Sequence, residues 1–343
     1  MSSLFTSSSR YIAVVFASVV TFGALFVTAY ACLPGPTPER FDQLWAASMW
    51  RAKERIASET EGPRILVFGG SDVYFGISGT LMTQMTGIPS FNMGTHGGNG
   101  VGLLLNDAVS FARSGDIAII ALLPTHLFHE KALVTSQAQG VDRWLGNRYF
   151  FTASLREKLL LLSHSKLVDV FTIRNSPPGI NYQYGYWQLP PKEHGDIKPI
   201  YATDETTSRV LQQLEKLPDR DQGLGLRAPP TRNWALPDRL APPESYPALH
   251  PSIERSLERA IRDMESRGVT PFFTLTATAF ANTPYALTAL VKTVGEERFL
   301  IGAEHLPIDA MYDTPFHPNA IGREMVSRKL ASSLCQKIVC RDL

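Results

Sequence analysis

Ile65-Leu66-Val67-Phe68-Gly69-Gly70-Ser71-Asp72 is the stretch from which the fold is read. Four apolar residues run straight into Gly-Gly-Ser, the pattern of a buried strand that stops at a tight turn. Glycine carries no Cβ, so the backbone can bend sharply there and leave the Ser71 hydroxyl at the strand's carboxyl end. Open parallel sheets bind their ligands at that edge. Downstream, residues 78–86 read as a short helix, and Gly87-Ile88-Pro89 returns the chain to a short strand ending at Asn92. The loop Met93-Gly94-Thr95-His96-Gly97-Gly98-Asn99-Gly100 follows. Its free N–H groups could face an anion.

Further outward, residues 99–113 carry apolar side chains at helical spacing with Gly115 as the stop signal. Residues 117–123 are a continuous apolar run, as expected of a central parallel strand. This alternation predicts an α/β fold, a three-layer αβα sandwich around a mostly parallel, doubly wound, flavodoxin-like sheet. Near the C-terminus, Ile253, Leu257, Ile261 and Met264 share one helical face ended by Gly268. Strands are expected over 271–276 and 299–302. A loop, Tyr312-Asp313-Thr314-Pro315-Phe316-His317-Pro318-Asn319, then leads into a final helix bearing Ile321, Met325, Leu330 and Leu334. The middle, about 127–250, is rich in proline pairs and reads as an irregular insertion on the sheet core. Helical spacing occurs within it over 151–171. Tyr182, Tyr184, Tyr186 and Trp187 could stack on sugar rings there, although packing of a long loop is the plainer reading.

The N-terminus divides into a polar tail (1–10), an uncharged apolar run (11–33) and a stalk (34–60) that opens with Pro34, Pro36 and Pro38 and continues as an amphipathic helix over 41–58; the main domain is 61–343. The apolar run is long enough to cross a bilayer as a helix. An uncleaved anchor is the reading adopted, and a signal cleaved at Ala29-Tyr30-Ala31 competes with it. A single-pass protein of the cytoplasmic membrane with its large domain outside is the simplest arrangement. At 343 residues, 44% apolar and 19% charged, the chain is a folded one with a sizeable core rather than a disordered one. A net charge of +1 with no Lys/Arg cluster gives no support to nucleic-acid binding. Cys335 and Cys340 could pair in an oxidising compartment, and two free thiols are the equal alternative. No metal-ligand spacing is present, and no cofactor is called for.

A serine hydroxyl needs a neighbouring base to become a nucleophile. A histidine serves if a carboxylate holds its other ring nitrogen. Asp313 and His317 are four apart on the loop before the last helix, within reach of each other, and the fold could bring them to the edge that carries Ser71. Backbone N–H groups of Ser71 and of the glycine loop would then stabilise an oxyanion. Each residue also has a plainer reading: Ser71 as turn chemistry, Asp72 as a cap on that turn, His317 as a helix-start residue. His96, His126 and His129 read as structural or solvent-facing.

Three blocks together resemble the SGNH (GDSL-type) hydrolase superfamily, particularly its membrane-anchored branch acting on envelope polysaccharides. Gly69 to Ile77 is similar to the nucleophile block, Asn92 to Gly97 to the Asn-x-x-x-x-Gly block, and Asp313 to His317, with Asn319 and Gly322, to the C-terminal Asp/His block. The resemblance implies that Ser71, His317 and Asp313 are catalytic, that Gly97 gives an oxyanion N–H, and that Asn92 and Gly94 lie at the substrate side. Three departures stand out. Gly70 replaces an Asp common in the family. Three residues, rather than two, separate Asp313 from His317. Leu123-Pro124-Thr125-His126 occupies the place of the family's third-block Asn, so either Thr125 or His126 donates instead or the oxyanion hole is reduced to two donors. The implied activity is transfer or hydrolysis of an acyl group, acetyl foremost, on a polysaccharide or acyl-sugar. The implied partner is a multispanning membrane protein that delivers the acyl donor. The rival expectation is an inactive glycan-binding or scaffold module of a polysaccharide modification or export complex. A third is a secreted esterase released after Ala31.

Overall fold

In a computed structural model of the chain, residues 2–32, 41–165, 248–277, 283–302, 306–307, 310–311 and 316–340 are described. Strands β1 (Ile65–Phe68), β2 (Ser90–Asn92), β3 (Ile117–Leu122) and β4 (Thr270–Leu275) form an all-parallel sheet in the order β2-β1-β3-β4. The helices in the first half are α1 (Ser2–Cys32), α2 (Phe41–Ser58), α3 (Ser71–Gly76), α4 (Gly79–Thr86) and α5 (Gly100–Phe111). They are followed by α6 (Ser136–Trp144), α7 (Arg148–Thr152), α8 (Leu155–Ser163), α9 (Pro251–Ser266), α10 (Thr283–Val294) and α11 (Ala320–Cys335).

The strands are continuously apolar because helices cover both faces of the sheet. Leu66, Phe68, Ala118, Ile120 and Phe273 alternate into one core, beneath α2, α5, α6, α7, α9 and α10. Ile65, Val67, Ile117, Ile119 and Phe272 point into the other, beneath α3, α4 and α11. The chain is therefore an α/β protein of three layers. A buried ion pair closes the edge opposite the glycine turn: the Arg64 guanidinium grips the Asp116 carboxylate and also donates to the Ala57 carbonyl. With β1 and β3 adjacent and β2 outside β1, the chain reverses its direction of winding between β1 and β3, where such sheets open a crevice.

Several expectations change in detail. Residues 299–302 contribute one isolated parallel bridge, Phe273 to Phe299, instead of a full strand. The helix expected over 99–113 begins at Gly100, whose φ of +76° breaks it from a 3₁₀ turn over Gly97–Asn99. Residues 127–165 are not irregular: α6, α7 and α8 lie there and join the larger core through Ala138, Val141, Tyr149, Phe150 and Leu161. The helical spacing from 151 onward is interrupted at Ala153, because Ser154 and Glu157 form a capping box that starts α8 afresh. Most of the remainder of the insertion, including Tyr182, Tyr184, Tyr186 and Trp187, lies outside the described residues.

Within α1, Ser9–Cys32 is long and apolar enough to cross a membrane. Its last turns are held by the domain. Tyr30 is fully buried with its ring 4.7 Å from that of Phe150 and 5.1 Å from the Arg143 guanidinium. Asn147, in the left-handed conformation at φ +59°, donates from its amide to the carbonyls of Tyr30 and Ala31, each at 3.1 Å. At the far end of the chain, a disulfide joins Cys335, the last residue of α11, to Cys340, and Cys32 is free.

Candidate active site

Ser71 is the first residue of α3, a short helix not evident from the sequence because its six residues are dominated by β-branched and aromatic side chains. Asn92 makes this helix possible. Its side-chain amide donates to the carbonyls of Val73, Tyr74 and Ile77 at 2.9, 3.1 and 2.8 Å, satisfying groups that the end of α3 leaves open. Its Oδ1 accepts from the Gly94 N–H and from the buried Lys53 ammonium of α2. Lys53 also donates to the Gly94 carbonyl. A Cβ on Gly94 would stand 2.4 Å from the Tyr74 nitrogen, so this part of the loop lies flat against α3. Asn92 and Gly94, expected at the substrate side, are instead the buried brace beneath the helix, with their polar groups engaged inside the protein.

Gly97 is brought to the serine. A Cβ built on it would lie 3.8 Å from Ser71 Oγ and 3.4 Å from Leu123 Cδ1. Gly70 makes this approach possible, since a Cβ there would stand 2.6 Å from Gly97 Cα and 2.9 Å from its nitrogen. Any side chain in place of Gly70 would collide with the Gly97 turn.

From the other end of the chain, His317 Nε2 lies 2.9 Å from Ser71 Oγ. The imidazole stacks on Phe75, with centroids 4.4 Å apart and planes 29° apart. Its loop is fixed two residues further on by Asn319, whose Oδ1 accepts from the Ile321 and Gly322 N–H groups and whose amide donates to the Met311 carbonyl. An antiparallel bridge between Met311 and Pro318 completes the tie. Asp313 lies outside the described residues.

A carboxylate does stand near the pair, and it is Asp72. Burial pushes its pKa up to about 6, while the nearby backbone N–H dipoles at the start of α3 and the His317 imidazole pull the other way. Neither of its oxygens has a hydrogen-bond partner among the described residues, and the Thr276 hydroxyl beside it is likewise unpartnered. Both line a small cavity with Thr274, Gly302 and Pro318, behind the serine.

Beside Gly70 and Gly97 is a small cleft lined also by Trp50, Thr95, Val101, Leu104, Leu123 and His126; neither Ser71 nor His317 is on its wall. No family model, curated protein or solved structure matches the chain.

His126 faces this cleft, and burial lowers its pKa, which favours the neutral imidazole with one N–H to donate. Thr125 sits on the same 3₁₀ turn, Pro124–His126, but not on the cleft wall. His96 Nδ1 accepts from the Gly98 N–H within the loop, and His129 is on the surface. Among the described residues no cluster of His, Cys, Asp and Glu is placed to hold a metal. The arrangement thus contains a hydroxyl, a base within hydrogen-bonding distance of it, a close-lying glycine backbone and an apolar cleft. Trp50, Lys53 and Phe75 were not foreseen as site residues. The available signal was a lysine and a tryptophan on the apolar face of an otherwise ordinary amphipathic stalk helix.

Proposed function

We propose that this chain is a membrane-anchored serine acyltransferase or esterase of the SGNH type, acting on acyl groups, acetyl foremost, of a cell-envelope polysaccharide. The observation that carries the proposal is the 2.9 Å approach of His317 Nε2 to Ser71 Oγ beside the Gly97 backbone, across 246 positions of sequence. In the proposed reaction His317 takes the Ser71 proton as Oγ bonds to the acyl carbonyl carbon, and the carbonyl oxygen takes up the negative charge. The Ser71 and Gly97 N–H groups, with neutral His126, are the proposed donors to that oxygen. Collapse of the tetrahedral species expels the alkoxide of the donor, which leaves as an alcohol with the proton from His317. A sugar hydroxyl or water then repeats these steps on the acyl-serine, its proton passing through His317 to Ser71. Asp313 is proposed as the group that orients the imidazole.

The Cys335–Cys340 disulfide supports a domain in an oxidising compartment, outside the cytoplasmic membrane. The buried Tyr30 and the Asn147 clasp support an uncleaved α1, because a cut after Ala31 would part these contacts from the rest of the chain. A multispanning partner delivering the acyl donor rests on the resemblance alone. The second reading, an inactive glycan-binding module, is favoured by the absence of an Asn after β3.

A fluorophosphonate probe on the full chain in detergent separates the two. Labelling that disappears in Ser71→Ala and in His317→Ala, with matching loss of p-nitrophenyl acetate turnover, is expected for the enzyme. Absence of labelling in the native chain, or equal labelling in Ser71→Ala, removes Ser71 from any mechanism.

A further inference from the structure

Among the described residues outside α1, the most exposed neighbouring large apolar side chains in helices are at the α7–α8 junction. Leu155 and Leu159 are 74% and 58% exposed on one face of α8, and Phe151, 58% exposed, precedes them on α7. The same stretch follows directly on the clasp that holds α1: Asn147 binds the Tyr30 and Ala31 carbonyls, Phe150 packs on Tyr30, and the Phe151 ring is 6.0 Å from that of Phe150. Arg148 and Arg156, with side chains 46% and 55% exposed, border it and are ion-paired with Glu54 and Glu130, while Glu157 is buried against Arg259.

Length sets the depth of this stretch. The apolar span has 24 residues. At ~1.5 Å per residue it is ~36 Å long, against a hydrocarbon core of ~30 Å, so roughly one turn extends beyond the core. The domain grips that end of the helix, through Phe26, Ala29, Tyr30 and Ala31. Whatever adjoins the grip lies at the level of the lipid headgroups.

We infer that Phe151, Leu155 and Leu159 form a membrane-contacting surface, with the apolar side chains dipping into the headgroup–acyl boundary and Arg148 and Arg156 beside the lipid phosphates. A helix with an apolar face and basic flanks lies in that boundary for the same physical reason. The inference rests on reading α1 as a bilayer span.

The test uses the full chain, with Cys32→Ala as background, in vesicles of phosphatidylcholine and phosphatidylglycerol with or without lipid carrying a nitroxide high on its acyl chain. An environment-sensitive fluorophore is attached in separate variants at Leu155→Cys, Leu159→Cys, the α1 position Val19→Cys, and Lys329→Cys on α11, across the sheet from α7 and α8. Blue-shifted emission and loss of intensity to the nitroxide are expected at 155, 159 and 19, with water-like, unquenched emission at 329. Quenching at 19 with 155 and 159 behaving like 329 overturns the inference and leaves the anchor standing. A blue shift at 155 and 159 without quenching also overturns it, since protein, either residues 166–247 or a second copy, then covers the face. Absence of quenching at 19 removes the span and the inference together.

Discussion

Burial holds the Asp72 carboxyl at about 6, against 3.8 for a free one, so the folded protein keeps this proton over a range in which the unfolded chain has released it. The contribution to stability is full below about pH 4 and is lost as pH rises through 6, where the fold must accommodate a buried anion. Two pK units correspond to on the order of 2–3 kcal/mol. Asp72→Asn has no charge to bury. Its melting temperature relative to the native chain is expected to be near equal at about pH 4.5 and clearly higher at about pH 8, following the protonation of Asp72. A difference independent of pH would contradict this assignment. At Gly97 the expectation concerns rate. The added methyl of Gly97→Ala meets Ser71 Oγ at 3.8 Å and Leu123 at 3.4 Å, both ordinary contacts, so the variant folds. The methyl occupies space beside the nucleophile, and displacement of a reacting acyl group by a fraction of an ångström to 1 Å costs on the order of 10²-fold. Turnover of p-nitrophenyl acetate should fall by about that factor with fluorophosphonate labelling slowed in parallel.

Among elements, α11 bears most on the proposed chemistry because its N-cap fixes the loop that carries His317 to Ser71. Asn319 ties the first turn of α11 to the Met311 strand bridge two residues after His317. Asn319→Ala should cost about 1–2 kcal/mol in thermal stability, as loss of a good N-cap does. It should also lower kcat far more than it raises KM, since the imidazole loses its register with Ser71. Equal kcat with lowered stability would restrict Asn319 to a structural role. This element also shows what a sequence discloses. The strand-to-glycine turn at Phe68-Gly69-Gly70, the stop signals at Gly115 and Gly268 and the apolar periods of α2 and α9 are local patterns, and each was legible; on α11 only Leu330 and Leu334 of the four expected core residues are buried, Ile321 and Met325 being exposed. The role of Asn92 was not: an Asn beside a glycine loop reads as a ligand group until α3, itself unforeseen, is seen to need its amide. Asp72 was legible only as a turn residue, because its nearness to His317 joins positions far apart in the chain. The tie between Ser71 and His317 was open to sequence only through the order of three short blocks, none specific alone.

At the scale of the whole molecule, α1 and the α/β domain are joined by the clasp at Asn147. Asn147→Ala removes two hydrogen bonds to carbonyls at the end of α1, and about 1 kcal/mol for each is the expected loss. Limited proteolysis of the full chain should show faster cutting between residues 32 and 41, with the domain's own melting shifted by less than a comparable core substitution would cause. Unchanged proteolysis would mean that Tyr30 packing alone carries the joint. The clasp has a mechanical consequence as well. A helix gripped by a folded body is a lever rather than a hinge, so any lean of the rod is passed on undiminished. In a thicker bilayer a long apolar helix stands more upright, and in a thinner one it leans. If α1 spans the bilayer, Ser71 and His317 would swing through the same angle, and the thickness of the surrounding lipid would set where that pair faces.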